Sequence, residues 1–232
     1  MRKYFSLLLS LLLVVGTAAA RSHRSQVTFT TTYGKIVVEL YDDTPIHRDN
    51  FLHNVRIGAY DGVLFHRIIE DFMVQGGDPL TRPAEADDKV RKRLVDGADS
   101  VNWLPAEIRL PQHFHKRGAL AAAREGDAVN PERKSSHYQF YIVWGTTYTA
   151  EQLDQLEKRM QQIYHTTATI APEQREYYQQ HAGTPHLDGY YTVFGEVVEG
   201  LDLIASMQAV ATDASDRPIA DIRILKAEVT RR

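Results

Sequence analysis

Apolar residues in this chain come in short runs, and the length of those runs limits its architecture more than any other feature. Val63–Ile69, Phe72–Gln75, Gly118–Ala123, Phe140–Val143, Tyr191–Val198 and Ile222–Val229 span four to eight residues each, most of them bounded by Gly, Asp or Pro. Runs of that length suit strands better than helices. Ahead of them, VTFTTTYGKIVVELY alternates β-branched and aromatic residues around Tyr33-Gly34, the pattern of a strand, a tight turn and a second strand. Many short strands with few helices predict a closed or sandwiched antiparallel sheet. With 232 residues, 43% of them hydrophobic, the chain supports one core, and with no cysteine it must hold that core without disulfides.

Three segments depart from the strand pattern. In TPIHRDNFLHNVRIG, Thr44 is placed as N-cap and Pro45 at the first helical position, Phe51, Leu52 and Val55 share one face, and Gly58 marks the stop. Residues 80–104 mix charges of both signs with little apolar content and read as a solvated loop. TAEQLDQLEKRMQQIY carries a capping-box pattern at Thr149 and Gln152, with Leu153, Leu156, Met160 and Ile163 at helical spacing, and PEQREYYQQHAG follows as a second helix. Together they predict a helical insertion over about 149–183, packed beside the sheet and bordering whatever groove it flanks.

The first twenty residues read as a signal peptide. Arg2 and Lys3 precede an apolar run from Leu7 to Val15, and Ala18-Ala19-Ala20 offers a small-residue cleavage site. The run is well short of the roughly 20 residues needed to span a bilayer. The expected organisation is therefore a signal peptide at 1–20, a polar linker at 21–26 and one domain at 27–232. The mature protein is expected to be periplasmic or secreted, with no membrane association. A net charge of −3 supplies no global cationic field, so nucleic acid is not an expected partner.

FHRIIEDFMVQGGD, residues 65–78, poses the chemical question, because Arg67 and Gln75 sit among large apolar side chains. Polar groups in that company are either paired structurally or face a ligand. The stretch resembles the signature strand and loop of the cyclophilins, which are peptidyl-prolyl cis-trans isomerases. GALAAAREGD, YQFYIV and HLDGYYTVFGEVVEGLDLI resemble further family segments in family order, from about Val27 to Val229. The resemblance implies a mainly β fold, an eight-stranded antiparallel β-barrel closed at both ends by helices, here with the helical insertion. It places Arg67 and Gln75 on the outer binding face as catalytic residues.

The implied chemistry needs no cofactor and no metal. An X-Pro amide resists rotation by roughly 18–20 kcal/mol, and its twisted state localises a lone pair on the proline nitrogen. A guanidinium N–H can meet that lone pair, and Arg67 is the candidate donor. The resemblance also implies a peptide-binding surface. Phe72, Met73, Tyr141 and Leu187 would wall the prolyl slot, and Gln139 with Gln75 would fix the neighbouring backbone or the guanidinium. Ala123 and Arg124 would offer main-chain groups, with Tyr191 at the slot's edge. His186 stands where strong cyclosporin binders have tryptophan, which implies weak cyclosporin binding. Arg124 after Ala123 resembles bacterial members, and Tyr141 replaces the usual phenylalanine. The partners implied are proline-containing unfolded or extended polypeptides, whose folding the enzyme would assist. A proline-peptide-binding chaperone module with little turnover is the alternative. His113-x-His115 has a spacing that can bind zinc, without an evident third ligand.

Overall fold

The structure is a computed structural model that describes residues 24–82 and 103–231. The segment expected to be a signal peptide, residues 21–23 of the expected linker and most of the 80–104 stretch lie outside the described residues.

The opening hairpin forms as its alternation predicts. β1 (Gln26–Thr31) pairs antiparallel with β2 (Gly34–Leu40), turning at Tyr33-Gly34, where Gly34 has φ 133. Val27, Phe29, Ile36, Val38 and Leu40 are fully buried, while the alternate residues Thr28, Thr30, Val37 and Glu39 are partly exposed. Strands β3 (Arg67–Ile69), β4 (Met73–Gly76), β5 (Ala119–Ala122), β6 (Phe140–Val143), β7 (Val193–Glu199) and β8 (Ile224–Arg231) complete one antiparallel sheet. Their order across it is β3-β4-β6-β5-β7-β2-β1-β8.

The expected closed barrel takes the form of a curled sheet, because no ladder joins its outer strands β3 and β8. The chain just before each of them meets instead. Phe65 donates its N–H to Ile222 O at 2.9 Å, Ile224 donates to Val63 O at 2.9 Å, and Leu64 forms an isolated bridge with Arg223.

Among the described residues there are four α-helices. α1 (Pro45–Arg56) packs against β7 and β8, and α4 (Leu201–Gln208) packs against β2, β3 and β4. The insertion consists of α2 (Ala150–Tyr164) and α3 (Pro172–Gln180), and α2 also meets a 3-10 turn at Pro185–Leu187. The capping box of α2 is formed, with Thr149 and Gln152 each bonded to the other's main chain. Only Leu153 of its apolar stripe is fully buried, and Ile163 is 56% exposed.

Thr44 does not cap α1 as its sequence position suggests. Its hydroxyl donates to Tyr41 O, and the helix's leading amides at Ile46 and His47 donate instead to the Glu107 carboxylate, at 3.2 and 2.9 Å. That carboxylate also bonds His47 Nδ1 at 2.7 Å, and burial pushes the pKa of His47 below its ordinary value. A buried anion at a helix N-terminus, on two orphan amides, is electrostatically well placed.

β5 and β6 are buried on both faces, which explains why ALAA and FYIV read as unbroken apolar runs. One face contributes Ile68, Val74, Leu120, Ile142 and Phe140 to the core inside the curl, where Phe29, Phe51, Tyr60 and Phe194 join them. The other face contributes Met73, Ala119, Ala121, Tyr141 and Val143 to a second, outer cluster with Leu187, Val193 and Tyr41.

Candidate active site

Strand register draws one row of side chains across the outer face. Arg67 stands opposite Gln75, Gln75 opposite Tyr141, Tyr141 opposite Ala121, and Ala121 opposite Val193. Side chains on paired positions share a face. The row therefore runs from a cation through an amide and a phenol to small apolar groups. Turns bring the remaining walls. Phe72 follows the left-handed Asp71 (φ 57) in the β3–β4 turn, where its carbonyl accepts from Trp144 N at 2.9 Å, and Leu187 and Tyr191 arrive on the segment that leads into β7. The cleft so formed has a volume of about 160 Å³ and is lined by Arg67, Phe72, Met73, Gln75, Ala123, Arg124, Tyr141, Leu187 and Tyr191.

Gln139 and His186 stand just behind this lining. Gln139 accepts a hydrogen bond from Gln75 Nε2 at 3.0 Å. His186 stacks on Phe72 with ring centroids 5.3 Å apart, and burial lowers its pKa to about 4, helped by the facing His115. A neutral imidazole thus backs the phenyl ring. Gly77 anchors the far end of the signature loop. Its φ is 92, and a Cβ there would run into Tyr138 O and the Phe140 ring, so no other residue fits.

Several expected contacts differ in detail. The guanidinium of Arg67 is held by neither glutamine, because Gln75 and Gln139 pair with each other. Its partner is Asp216, whose carboxylate accepts from Nε at 3.2 Å, with both side chains more than two-fifths exposed. Asp216 O also accepts from Ile68 N at 2.8 Å, so the loop before β8 grips β3 by main chain and side chain together. The other edge of the guanidinium remains for a ligand.

Ala123 cannot offer its N–H to a peptide, since it donates to Gln139 O at 2.9 Å, and its carbonyl accepts from Ser136 N at 2.8 Å. The Arg124 side chain is 2% exposed and lies 4.4 Å over the Tyr191 ring. It pairs with Asp127 at 2.6 Å and donates to Tyr190 O at 2.7 Å. It braces the cleft rim. His113 and His115 do not converge. His113 bonds Asp43 at 2.7 Å and stacks on Tyr41, whereas His115 is buried against Asp188 and Tyr141. Among the described residues no group of three His, Asp or Glu side chains is placed to hold a metal ion. No helix among them is long and apolar enough to cross a membrane.

Sequence reasoning missed Asp216, Glu107 and the His115–Asp188 pair. No local pattern marks any of them, because each acts on a residue far along the chain. Asp188 alone had a signal, its place in HLDGYYTVFG.

A family model described as cyclophilin type peptidyl-prolyl cis-trans isomerase/CLD matches residues 26–229, which takes in β1 to β7, most of β8 and both insertion helices. The chain belongs to the cyclophilin family. It is a peptidyl-prolyl cis-trans isomerase. Among curated relatives, the peptidyl-prolyl cis-trans isomerase ppi1 of Schizosaccharomyces pombe is 33% identical over 204 residues, covering 88% of this chain and 97% of its own. Peptidyl-prolyl cis-trans isomerase-like 2 of Rhizopus delemar is 30% identical over 207 residues, but this chain spans only 29% of that longer cyclophilin relative. A crystal structure of a Cryptosporidium parvum cyclophilin type isomerase, determined in the presence of the dipeptide Ala-Pro, superposes with a TM-score of 0.60. It covers 89% of this chain and 99% of its own, at 21% identity, a likeness of fold.

Proposed function

We propose that the outer-face cleft is the prolyl slot of this cyclophilin and that Arg67 is its catalytic donor. The observation that carries the reading is the pairing of Arg67 with Gln75 across β3 and β4, which puts the Arg67 guanidinium at the mouth of a cleft walled by Phe72, Met73, Tyr141 and Leu187. A proline ring would rest against Phe72, Met73, Tyr141 and Leu187. The free edge of the guanidinium would then meet the amide nitrogen as it becomes pyramidal. Asp216 holds the Nε edge and so limits rotation of the group. Gln75, tied to Gln139, would receive the neighbouring peptide carbonyl.

Nothing covalent is made or broken. Shortening rotation from tens of seconds to about a millisecond requires roughly 5–7 kcal/mol. A charge-assisted hydrogen bond formed only in the twisted state, inside a desolvated slot, supplies a quantity of that order. The Ala-Pro dipeptide named with the Cryptosporidium parvum cyclophilin fits the same substrate class, proline-containing polypeptides.

The setting belongs to the same proposal. The charged, apolar and small-residue order of residues 1–20 supports cleavage after Ala20 and a periplasmic or secreted folding assistant for extended or unfolded chains. The insertion borders the slot, because α3 bonds Asp188 immediately beside Leu187. Exchange NMR on an Ala-Pro peptide tests the reading directly. Catalysed exchange that is lost in Arg67→Ala and retained in Gln26→Ala is expected. An Arg67→Ala protein that turns over normally while folded would remove Arg67 from the mechanism.

A further inference from the structure

The floor of the cleft is wired to the insertion through a chain of buried polar groups. Tyr141 is 5% exposed, and its hydroxyl lies 2.9 Å from His115 Nε2. His115, 1% exposed, gives both its main-chain N–H and its Nδ1 to Asp188 Oδ1, each at 2.8 Å. The other oxygen, Oδ2, accepts from Tyr178 Oη at 2.7 Å and from Gln174 Nε2 at 3.1 Å, both on α3. Tyr178 is fully buried and Gln174 is 5% exposed.

Donor and acceptor counting gives this chain one direction when the His115 ring is neutral. A carboxylate that accepts from four donors is ionised, so the proton between it and the ring sits on Nδ1 of His115. With the ring in its neutral form, Nε2 is bare and can only accept, so Tyr141 donates to it. Burial raises the Tyr141 pKa well above the usual phenol range, so the proton stays on the tyrosine. The hydroxyl of the slot floor is thereby turned away from the slot.

We propose that His115 and Asp188 are positioning residues for Tyr141: they keep the floor of the prolyl slot free of an unpaired O–H and make α3 of the insertion part of that floor. The inference rests on the cleft being the prolyl slot. Its physical logic concerns water. If His115 could not accept, the released O–H would bond water in the empty slot. A proline ring would then displace that water and strand the donor, a cost that falls on binding and not on rotation.

A double-mutant cycle separates this from a structural role. His115→Phe removes the acceptor for Tyr141 together with the Nδ1 donor, and leaves Asp188 its three other donors. On an Ala-Pro peptide it should raise KM roughly tenfold with kcat little changed. In a Tyr141→Phe background, whatever that variant's own rate, the same change should leave KM unaltered, because no hydroxyl is stranded. An equal KM penalty in both backgrounds would overturn the proposal. Should His115→Phe fail to fold, imidazole ¹⁵N shifts in the unaltered protein decide. A protonated Nδ1 with a bare Nε2 is expected, and a protonated Nε2 at neutral pH overturns the assignment. These results are distinct from failure of the slot reading, which would show as normal turnover in folded Arg67→Ala.

Discussion

Over β5 and β6 the two faces of the sheet are both buried, yet they are built from different materials. The inner face is ring packed on ring: Phe140 stacks on Phe29 at 5.6 Å and meets Phe51 and Tyr60 edge-on at 5.5 Å each. Its polar content is slight, with Asn54 donating to the Tyr60 hydroxyl at 3.4 Å. The outer face interleaves apolar side chains with Tyr141, His115, Asp188, Gln174 and Tyr178, all hydrogen-bonded, and ends at the exposed Arg67. An apolar core tolerates no unpaired polar atom and is stabilised by area and close packing. A networked core fixes positions, since each polar group is costly unless its partner is in place. The inner face therefore carries stability, and the outer face carries geometry.

The comparison breaks most sharply at Phe140. Phe140→Ala should destabilise the fold by about 3–5 kcal/mol, the usual cost of emptying a close-packed aromatic site. Chemical unfolding checks this, and a loss under about 1 kcal/mol would mean that the inner face is not a single packed core. Arg67→Ala is the opposite test. It should leave unfolding within about 0.5 kcal/mol of the parent, because the side chain is 43% exposed, yet slow turnover by roughly 2–4 kcal/mol, on the order of 30- to 1000-fold. Arg67→Lys should recover only part of the rate, lacking the planar fork.

Acid sharpens the contrast further. His186 on the outer face is held neutral, with a folded pKa of about 4 against 6.5 for the free side chain. The fold's preference for the neutral ring is complete above about 6.5 and is lost as pH falls toward 4, a contribution on the order of 1–3 kcal/mol. His47, also pushed down by burial, acts in the same direction. His186→Trp should remove the outer-face part of that acid loss, and it should tighten cyclosporin binding by giving the drug an indole wall and an N–H donor. Melting curves between pH 4 and 7 and a drug titration check both. Nanomolar binding by the unaltered protein would refute the second. The smallest effect is expected at Asp216. Asp216→Asn keeps a hydrogen-bond acceptor but loses the charge, and an exposed pair of this kind is worth about 0–1 kcal/mol. Turnover should fall a few-fold at low salt and less at high salt, and a salt-independent change would argue against an electrostatic hold on Arg67.

Legibility followed the same division. The inner face was readable because alternation in β1 and β2 and the unbroken runs of β5 and β6 are local patterns with one physical cause, burial on one face or on both. The walls of the cleft were readable as far as they lie on those strands or in family-ordered segments, as Arg67, Gln75, Phe72 and Tyr141 do. The supports were not. Asp216 reaches Arg67 across 149 residues and Glu107 reaches the start of α1 across 60, and neither carries a mark in its own neighbourhood. The capping box of α2 was legible for the reason Thr44 misled: a side chain caps by local geometry only when no distant carboxylate takes its place.

Sheet order has a consequence for how the molecule comes into being. β1 lies between β2 and β8, and Thr28 meets Thr230 across 202 residues at 3.1 Å. A ribosome delivers β1 long before its second neighbour, so while the residues between them are made one edge of that strand lacks its native partner, and closing so long a loop is a slow, entropy-limited step. The hairpin β1–β2 can form at once, but the curl around Phe29 has to wait for the final strand. A peptidyl-prolyl cis-trans isomerase thus has a topology whose own completion waits for β8, the last of its strands along the chain.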